Sequence, residues 1–326
     1  MLPPLPDLLA TARVVSLPLH SRFRGIERRE ALLLEGPAGW TEFSPFTEYD
    51  DAEACAWLAA AIEFGWEATR ARLRDTVRVN ATLPAVGLTE VDAVLDRFPG
   101  CRTVKIKVAE PGQVLADAVA RVAAVRARLG AEGRIRIDAN GAWNVDEAEH
   151  AIHALAEFDL EYVEQPCETV DELAEVRRRV EYMGVPIAAD ESVRKAEDPL
   201  AVARAGAADI LVIKAQPLGG IAAALRIVGD AGLPVVVSSA LETSIGLSMG
   251  LYLAAAIPDL EFDCGLGTAA LLTADVTDEP LIPVDGSLEV RRVIPSSELL
   301  AAHAATGDRT AWWLARLERC YALLTR

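Results

Sequence analysis

Between residues 77 and 286 the chain alternates short runs rich in β-branched residues with Ala-, Leu-, Arg- and Glu-rich stretches of helical composition. The runs are VRVNATL, TVKIKVA, IRIDAN, EYVEQP, PIAADES, DILVIKA, PVVVSSA and EFDCGLGT. All but the first close on polar residues or glycine, and the closing positions recur at nearly fixed intervals. Lys107 to Asp138 is 31 residues, the next two steps to Glu164 and Asp190 are 26 each, those to Lys214 and Ser238 are 24 each, and Ser238 to Gly265 is 27. One strand, one helix and two short loops need about this length. Eight such units in series predict a TIM-like (β/α) barrel in preference to an open doubly wound sheet.

The first 76 residues follow another pattern. RVVSLPL, REALLLEG and GWTEFSP are strand-like and separated by Arg/Gly and Gly/Pro turns; a helical stretch from Asp51 to about Arg72 follows, acidic at its start. Meander then helix predicts a small α+β capping domain over 1–76, with the barrel over 77–286. The tail, 287–326, ends in a helix carrying Trp312, Trp313, Leu314 and Leu317, expected to pack back on the N-terminal unit.

Composition narrows what such a molecule can meet. At 326 residues and 52% apolar content a large core is available. A net charge of -17 and a pI near 4.7 argue against nucleic acid or an anionic membrane as partner, since both need a cationic surface. Cys55, Cys101, Cys167, Cys264 and Cys320 are odd in number, scattered and without a CxxC pair, which reads as reduced thiols and not as disulfides or a zinc site. MLPPLPDLLATARVV breaks with prolines where a signal peptide needs an apolar core, and no stretch reaches about 18 apolar residues, the length a spanning helix needs. A cytoplasmic protein is expected, monomer or homodimer.

In a barrel of this kind the chemistry gathers at the C-terminal strand ends. Those ends read Lys105 and Lys107, Asp138 and Asn140, Glu164, Asp190 and Glu191, then Lys214. A single Asp at a strand end is most simply a turn or cap. Three carboxylates closing three consecutive apolar strands (RIRID, LEYVE, IAAD) are different, because without a counter-charge they would repel one another at the barrel mouth. A hard divalent cation removes that conflict, and all-oxygen ligation with room for substrate suits Mg²⁺, with Mn²⁺ as a substitute. Lys105 and Lys107, two apart, share a strand face; Lys214 lies across the mouth. An ammonium near other cations is disfavoured, so such a lysine moves toward the range of a base. Metal plus lysine predicts proton abstraction α to a carboxylate, on a small-molecule carboxylate substrate.

At these residues the sequence resembles the enolase superfamily, and the K-x-K run with a lysine on strand six resembles its muconate-lactonizing-enzyme subgroup. A mandelate-racemase pattern would want histidine on the seventh strand, where PVVVSSA has none. SRFRGIERRE, GWTEFSPF, RIDANGAW, EYVEQPC, ADES, SSALETSIG and CGLGTAALL are similar to the compact o-succinylbenzoate synthase family of actinobacteria. The resemblance implies an enolase-type barrel capped by the N-terminal region and the tail. It implies Mg²⁺ held by Asp138, Glu164 and Asp190, with Lys107 removing the α-proton and protonating the departing hydroxide in a syn dehydration on the menaquinone route. Lys214 would stabilise the charge that develops, Lys105 would support Lys107, and the loop Ser21 to Gly25, with Arg24, would help close the site.

Weaker positions are Arg136, which shares the parity of Asp138 and is either near the substrate or in a buried ion pair, and Ser238, Ser239, Gly265 and Gly267, which line the pocket or serve tight turns. His150 and His153, on the helix after strand three, read as surface residues. The rival on the same scaffold is an N-acylamino acid racemase or dipeptide epimerase, since Lys107 and Lys214 could act on opposite faces. The eighth run lacks the D-x-D that dipeptide epimerases place there to hold an amine.

Overall fold

Residues 2–68, 71–194 and 198–325 are described by the structure, a computed structural model. The N-terminal runs form β1 (Arg13–Phe23), β2 (Ile26–Gly36) and β3 (Gly39–Phe43), an antiparallel sheet in that order. Arg24 and Gly25 between β1 and β2 both have positive φ, 48° and 78°, the backbone that matches strand twist in a tight hairpin. Helix Asp51–Trp66 packs on this sheet, capped by Asp50, whose carboxylate accepts from the Glu53 amide. It stops six residues before the expected Arg72; Glu67 is already extended, and Thr69 and Arg70 lie outside the described residues.

The run VRVNATL divides into β4 (Thr76–Arg78) and β5 (Ala81–Leu83). From β5 a parallel sheet runs through β6 (Thr103–Lys107), β7 (Arg134–Asp138), β8 (Leu160–Glu164), β9 (Ile187–Ala189), β10 (Ile210–Ile213) and β11 (Val235–Val237) in sequence order. The eighth run forms no regular strand. Its closure consists of two isolated parallel bridges, Val79 with Cys264 and Ser238 with Gly265. The Cys264 amide donates to Arg78 O, the Asn80 amide to Cys264 O, and the Gly265 amide to Val237 O, which completes the barrel. EFDCGLGT is too glycine-rich to extend further: a Cβ at Gly265 would lie 2.4 Å from Ser238 Oγ.

The strands are buried on both faces, so they read as nearly continuous apolar runs. Ile135, Ile137, Val163, Ile187, Leu211, Ile213, Val235 and Val237 join the large core beneath the outer helices. Facing inward, Tyr162, Ala188, Ile210, Val212 and Val236 form only a small apolar cluster. Polar and charged side chains fill the remaining interior. Helices Val145–Leu155 and Val170–Val180 begin on capping boxes, Asn144 with Glu147 and Thr169 with Glu172, so each chain reversal after β7 and β8 is fixed by sequence-local chemistry.

Beyond the barrel, β12 (Ser287–Glu289) pairs antiparallel with β4. The last helix, Gly307–Leu324, packs on helix Asp51–Trp66. Trp313 meets Phe43 edge-on at 5.8 Å and its indole N–H donates to Glu30 at 2.9 Å. Among the described residues no helix is long and apolar enough to cross a membrane.

Candidate active site

Strand register assembles the mouth of the barrel. Lys107, Asp138 and Glu164 stand level across β6, β7 and β8, and Lys105 stands one step deeper, level with Arg136 and Tyr162. Asp190 and Lys214 are the first residues after β9 and β10. The three lysines and the three carboxylates are all buried. Lys105 Nζ donates to both carboxylate oxygens of Glu164, at 2.8 and 3.0 Å, and lies 3.2 Å from Asp138. Lys107 Nζ reaches Asp138 at 2.5 Å and Asn140 Oδ1 at 2.6 Å, while Lys214 Nζ reaches Asp190 at 2.5 Å.

The two lysines of K-x-K, though adjacent on one face, are held in opposite states. Burial pushes the Lys107 ammonium down, and Lys105 beside it pushes the same way, against the pull of Asp138. For Lys105 burial is outweighed by Glu164 and Asp138, which raise it well above the ordinary lysine value. The expectation that these clustered lysines shift downward therefore applies to Lys107 and fails for Lys105, which sits between two carboxylates. Burial also opposes ionisation of the acids. Asp138 and Asp190 still stay well below the ordinary range, Asp138 through Lys107 and Lys105, Asp190 through Lys214 and Arg194. Glu164, pushed by burial and then by the charge of Asp138, rises to about 7.

Among the described residues no three His, Cys, Asp or Glu side chains converge as a ready cation cage. Each carboxylate takes an ammonium or guanidinium instead. The donor set nevertheless fits a hard divalent cation: three buried, acceptor-only carboxylates at neighbouring strand ends, whose repulsion is already expressed in Glu164. The positive charge they require is supplied in this arrangement by lysines.

Lys105, Lys107, Asp138, Asn140, Glu191, Lys214, Ser238, Ser239, Gly265 and Arg24 share the wall of one cavity. Phe23, Phe46, Thr82, Ala240, Leu241 and Thr268 complete it. Gly267 is not on that wall; a Cβ there would face Asn80 O and the Phe98 ring, so its role is close packing. Arg136 is also elsewhere. It pairs with Glu161, donates to Asn80 Oδ1 at 3.1 Å and Asp263 O at 2.6 Å, and lies 4.8 Å over Tyr162, the buried ion pair and not the substrate neighbour. His150 and His153 are exposed, His153 against Tyr182. Sequence reasoning passed over Arg194, which donates to Asp190 at 3.2 Å and Glu191 at 2.6 Å. Its spacing, four residues after Asp190, was the available signal. It also passed over Tyr49, whose hydroxyl accepts from both Arg194 and Arg24 at 3.2 Å, for which no local signal exists.

Residues 90–294 match the family described as enolase C-terminal domain-like, and residues 14–65 the one described as enolase N-terminal domain-like. The fold is shared with muconate lactonizing enzyme from Pseudomonas fluorescens in complex with muconolactone, at a TM-score of 0.76, 21% identity, and coverage of 90% of this chain and 98% of that one. It is shared as well with the L-Ala-D/L-Glu epimerase of Bacillus subtilis, at a TM-score of 0.72, 22% identity, and coverage of 87% and 96%. The chain belongs to the enolase superfamily. Within it the similarity is to o-succinylbenzoate synthases. The Mycobacterium tuberculosis H37Rv protein of that name is 56% identical over 325 residues, 99% of this chain and 98% of the relative. The Mycobacterium marinum protein is 54% identical over 323 residues, 99% and 97%. Enzymes of this superfamily use a divalent metal, generally Mg²⁺.

Proposed function

We infer that this chain catalyses the o-succinylbenzoate synthase reaction: loss of water from 2-succinyl-6-hydroxy-2,4-cyclohexadiene-1-carboxylate to give 2-succinylbenzoate, in menaquinone biosynthesis. It is a dehydratase of the lyase class. The similarity to synthases over 99% of the chain supports the reaction. The observation that carries the roles is the opposite setting of Lys107 and Lys105 on one strand face.

Lys107, lowered by burial, is the base that takes the proton α to the ring carboxylate. The C–H pair moves into the ring as the C–O bond breaks, and the same lysine, now an ammonium, delivers its proton to the departing hydroxide. Lys105, kept charged by Glu164 and Asp138, holds Lys107 low and faces the substrate carboxylate as a fixed cation. Lys214 stands on β10's end of the mouth as the second cation for the negative charge that develops. Asn140 fixes the Lys107 amine through its side-chain oxygen. Asp138, Glu164 and Asp190 would hold Mg²⁺, or Mn²⁺ in its place. When bound, that cation supplies charge to the substrate carboxylate and acidifies the neighbouring C–H. Arg24, on the hairpin turn over the cavity, acts as part of a lid. We place the enzyme in the cytoplasm, as monomer or homodimer, consistent with five unpaired cysteines.

The test runs two reactions in parallel with Mg²⁺: dehydration of the succinyl-cyclohexadiene substrate, and deuterium exchange at Cα of N-succinyl amino acids. Efficient dehydration that disappears in Lys107→Ala and Lys214→Ala is expected. Fast exchange without dehydration would replace this reading with the racemase.

A further inference from the structure

Four consecutive residues, Ser238 to Leu241, form one side of the cavity, yet they belong to a loop whose backbone is not held by the barrel alone. Leu241 is buried and has φ of 64°, a left-handed conformation that a leucine adopts only when its surroundings impose it. What imposes it comes from the cap. Arg29, a residue of β2 that is 2% exposed, sends Nε to Leu241 O at 3.0 Å and Nη2 to Ala240 O at 3.3 Å. The same guanidinium donates to Ser44 Oγ at 3.0 Å and to the Ser44 carbonyl, and lies 4.5 Å over Phe46, another residue of the cavity wall. Two residues beyond Leu241, Glu42 of β3 accepts from Thr243 Oγ1 at 2.6 Å and from the Thr243 and Gly246 amides at 3.2 and 3.1 Å. Glu42 thus caps the barrel helix Ser244–Ala256 from across the junction. Ser44 Oγ donates to Glu42 at 2.6 Å, which links the two anchors.

We propose that Arg29 is a positioning residue for substrate binding: through two carbonyl hydrogen bonds and its stack on Phe46 it sets the wall Ala240–Leu241 of the pocket, with Glu42 fixing the loop's far end. The inference rests on the dehydratase reading. A bidentate guanidinium matters here because two carbonyls and a hydroxyl must be held at once, and an ammonium cannot reach all three in one plane. A slack wall removes binding felt equally by substrate and transition state, so KM rises while kcat holds.

Steady-state dehydration with Mg²⁺ is measured for wild type, Arg29→Lys, Glu42→Gln and Arg309→Lys, alongside amide exchange across residues 240–246. Arg309 pairs with Glu30 on the outer side of the same sheet at 2.6 Å and touches no loop of the cavity. Expected are a KM about tenfold higher for Arg29→Lys and about threefold higher for Glu42→Gln, kcat within about threefold, and faster exchange in the loop. Arg309→Lys keeps the wild-type KM. An unchanged KM in whichever of the first two variants folds overturns the assignment, as does an equal rise in Arg309→Lys, which would mean general loosening of the cap. Absence of dehydration by wild type would instead remove the reaction on which the inference rests.

Discussion

Two layers of buried charge are stacked inside this barrel, one strand step apart, and they behave differently. In the deeper layer Arg136 is fixed by Glu161, Asn80 and Asp263 O and covered by Tyr162 and Phe262. Burial opposes its charge, but Tyr162 and Glu161 raise its pKa above the ordinary value, so Arg136 stays charged. In the upper layer Lys107 is lowered and Glu164 is raised to about 7, and Lys107, Asp138 and Lys214 face a cavity. Burial of charge is common to both layers. What marks the upper one is that its shifted groups stand at the mouth, where Lys107, Asp138 and Lys214 line a cavity open to a ligand, which is where perturbed groups gather in enzymes.

The comparison is broken most directly by exchanging the consequences of losing a charge. Lys107→Ala is expected to lower kcat by about 10²–10⁴, the usual worth of a general base, with little loss of stability because Asp138 keeps Lys105 at 3.2 Å. Arg136→Met should do the reverse: about 1–3 kcal/mol of stability lost in urea unfolding, because Asn80 Oδ1 and Asp263 O lose their buried donor while Glu161 keeps only Arg134 at 3.3 Å, with kcat of the folded fraction near wild type. If Arg136→Met instead abolished turnover without unfolding the protein, Arg136 would join Lys105 as a part of the deeper layer that belongs to the site.

Glu164 sharpens the contrast through pH. Its folded value of about 7 lies above the ordinary 4.5, so the folded protein binds the proton more tightly than the unfolded chain. The stability this lends the metal-free protein is complete below about pH 4.5 and is lost as pH rises through 7. Urea unfolding of metal-free wild type against Glu164→Gln should show the wild-type curve falling more steeply over that interval. Mg²⁺ should restore the difference at pH 7.5 and do little at pH 5. Parallel curves would mean that Glu164 is not under repulsion. The smallest effect is expected for Tyr49→Phe, which leaves the ring and removes only the oxygen shared by Arg24 and Arg194. A loss of about 1 kcal/mol in kcat/KM, carried mostly by KM, is the predicted cost.

Much of the upper layer was legible in the sequence because it obeys two local rules. Polar residues at the ends of successive apolar strands must meet at one mouth, and a two-residue step puts Lys105 and Lys107 on one face. The deeper layer follows the same parity, which is why Arg136 could be read either way until its partners were seen. The eighth strand was over-read since its short alternating start, Glu261 to Cys264, gives way to Gly265 and Gly267, leaving only bridges. Arg29, Glu42 and Tyr49 were out of reach for another reason. Their partners lie 212, 201 and 145 residues away, set by how the cap docks and not by any spacing along the chain.

The docking of helix Gly307–Leu324 on helix Asp51–Trp66 has a consequence for how the protein is made. Trp57, Leu58 and Ala61 share a core with Trp313, Leu317 and Cys320, so half of that core is translated early and its cover arrives last. At about 5–20 residues per second the ribosome leaves this apolar face without its partner for tens of seconds. A nascent chain stalled before Gly307 would therefore present sticky surface to chaperones, and synonymous codon changes that slow the barrel segment would lengthen that exposure without altering a single residue of the finished enzyme.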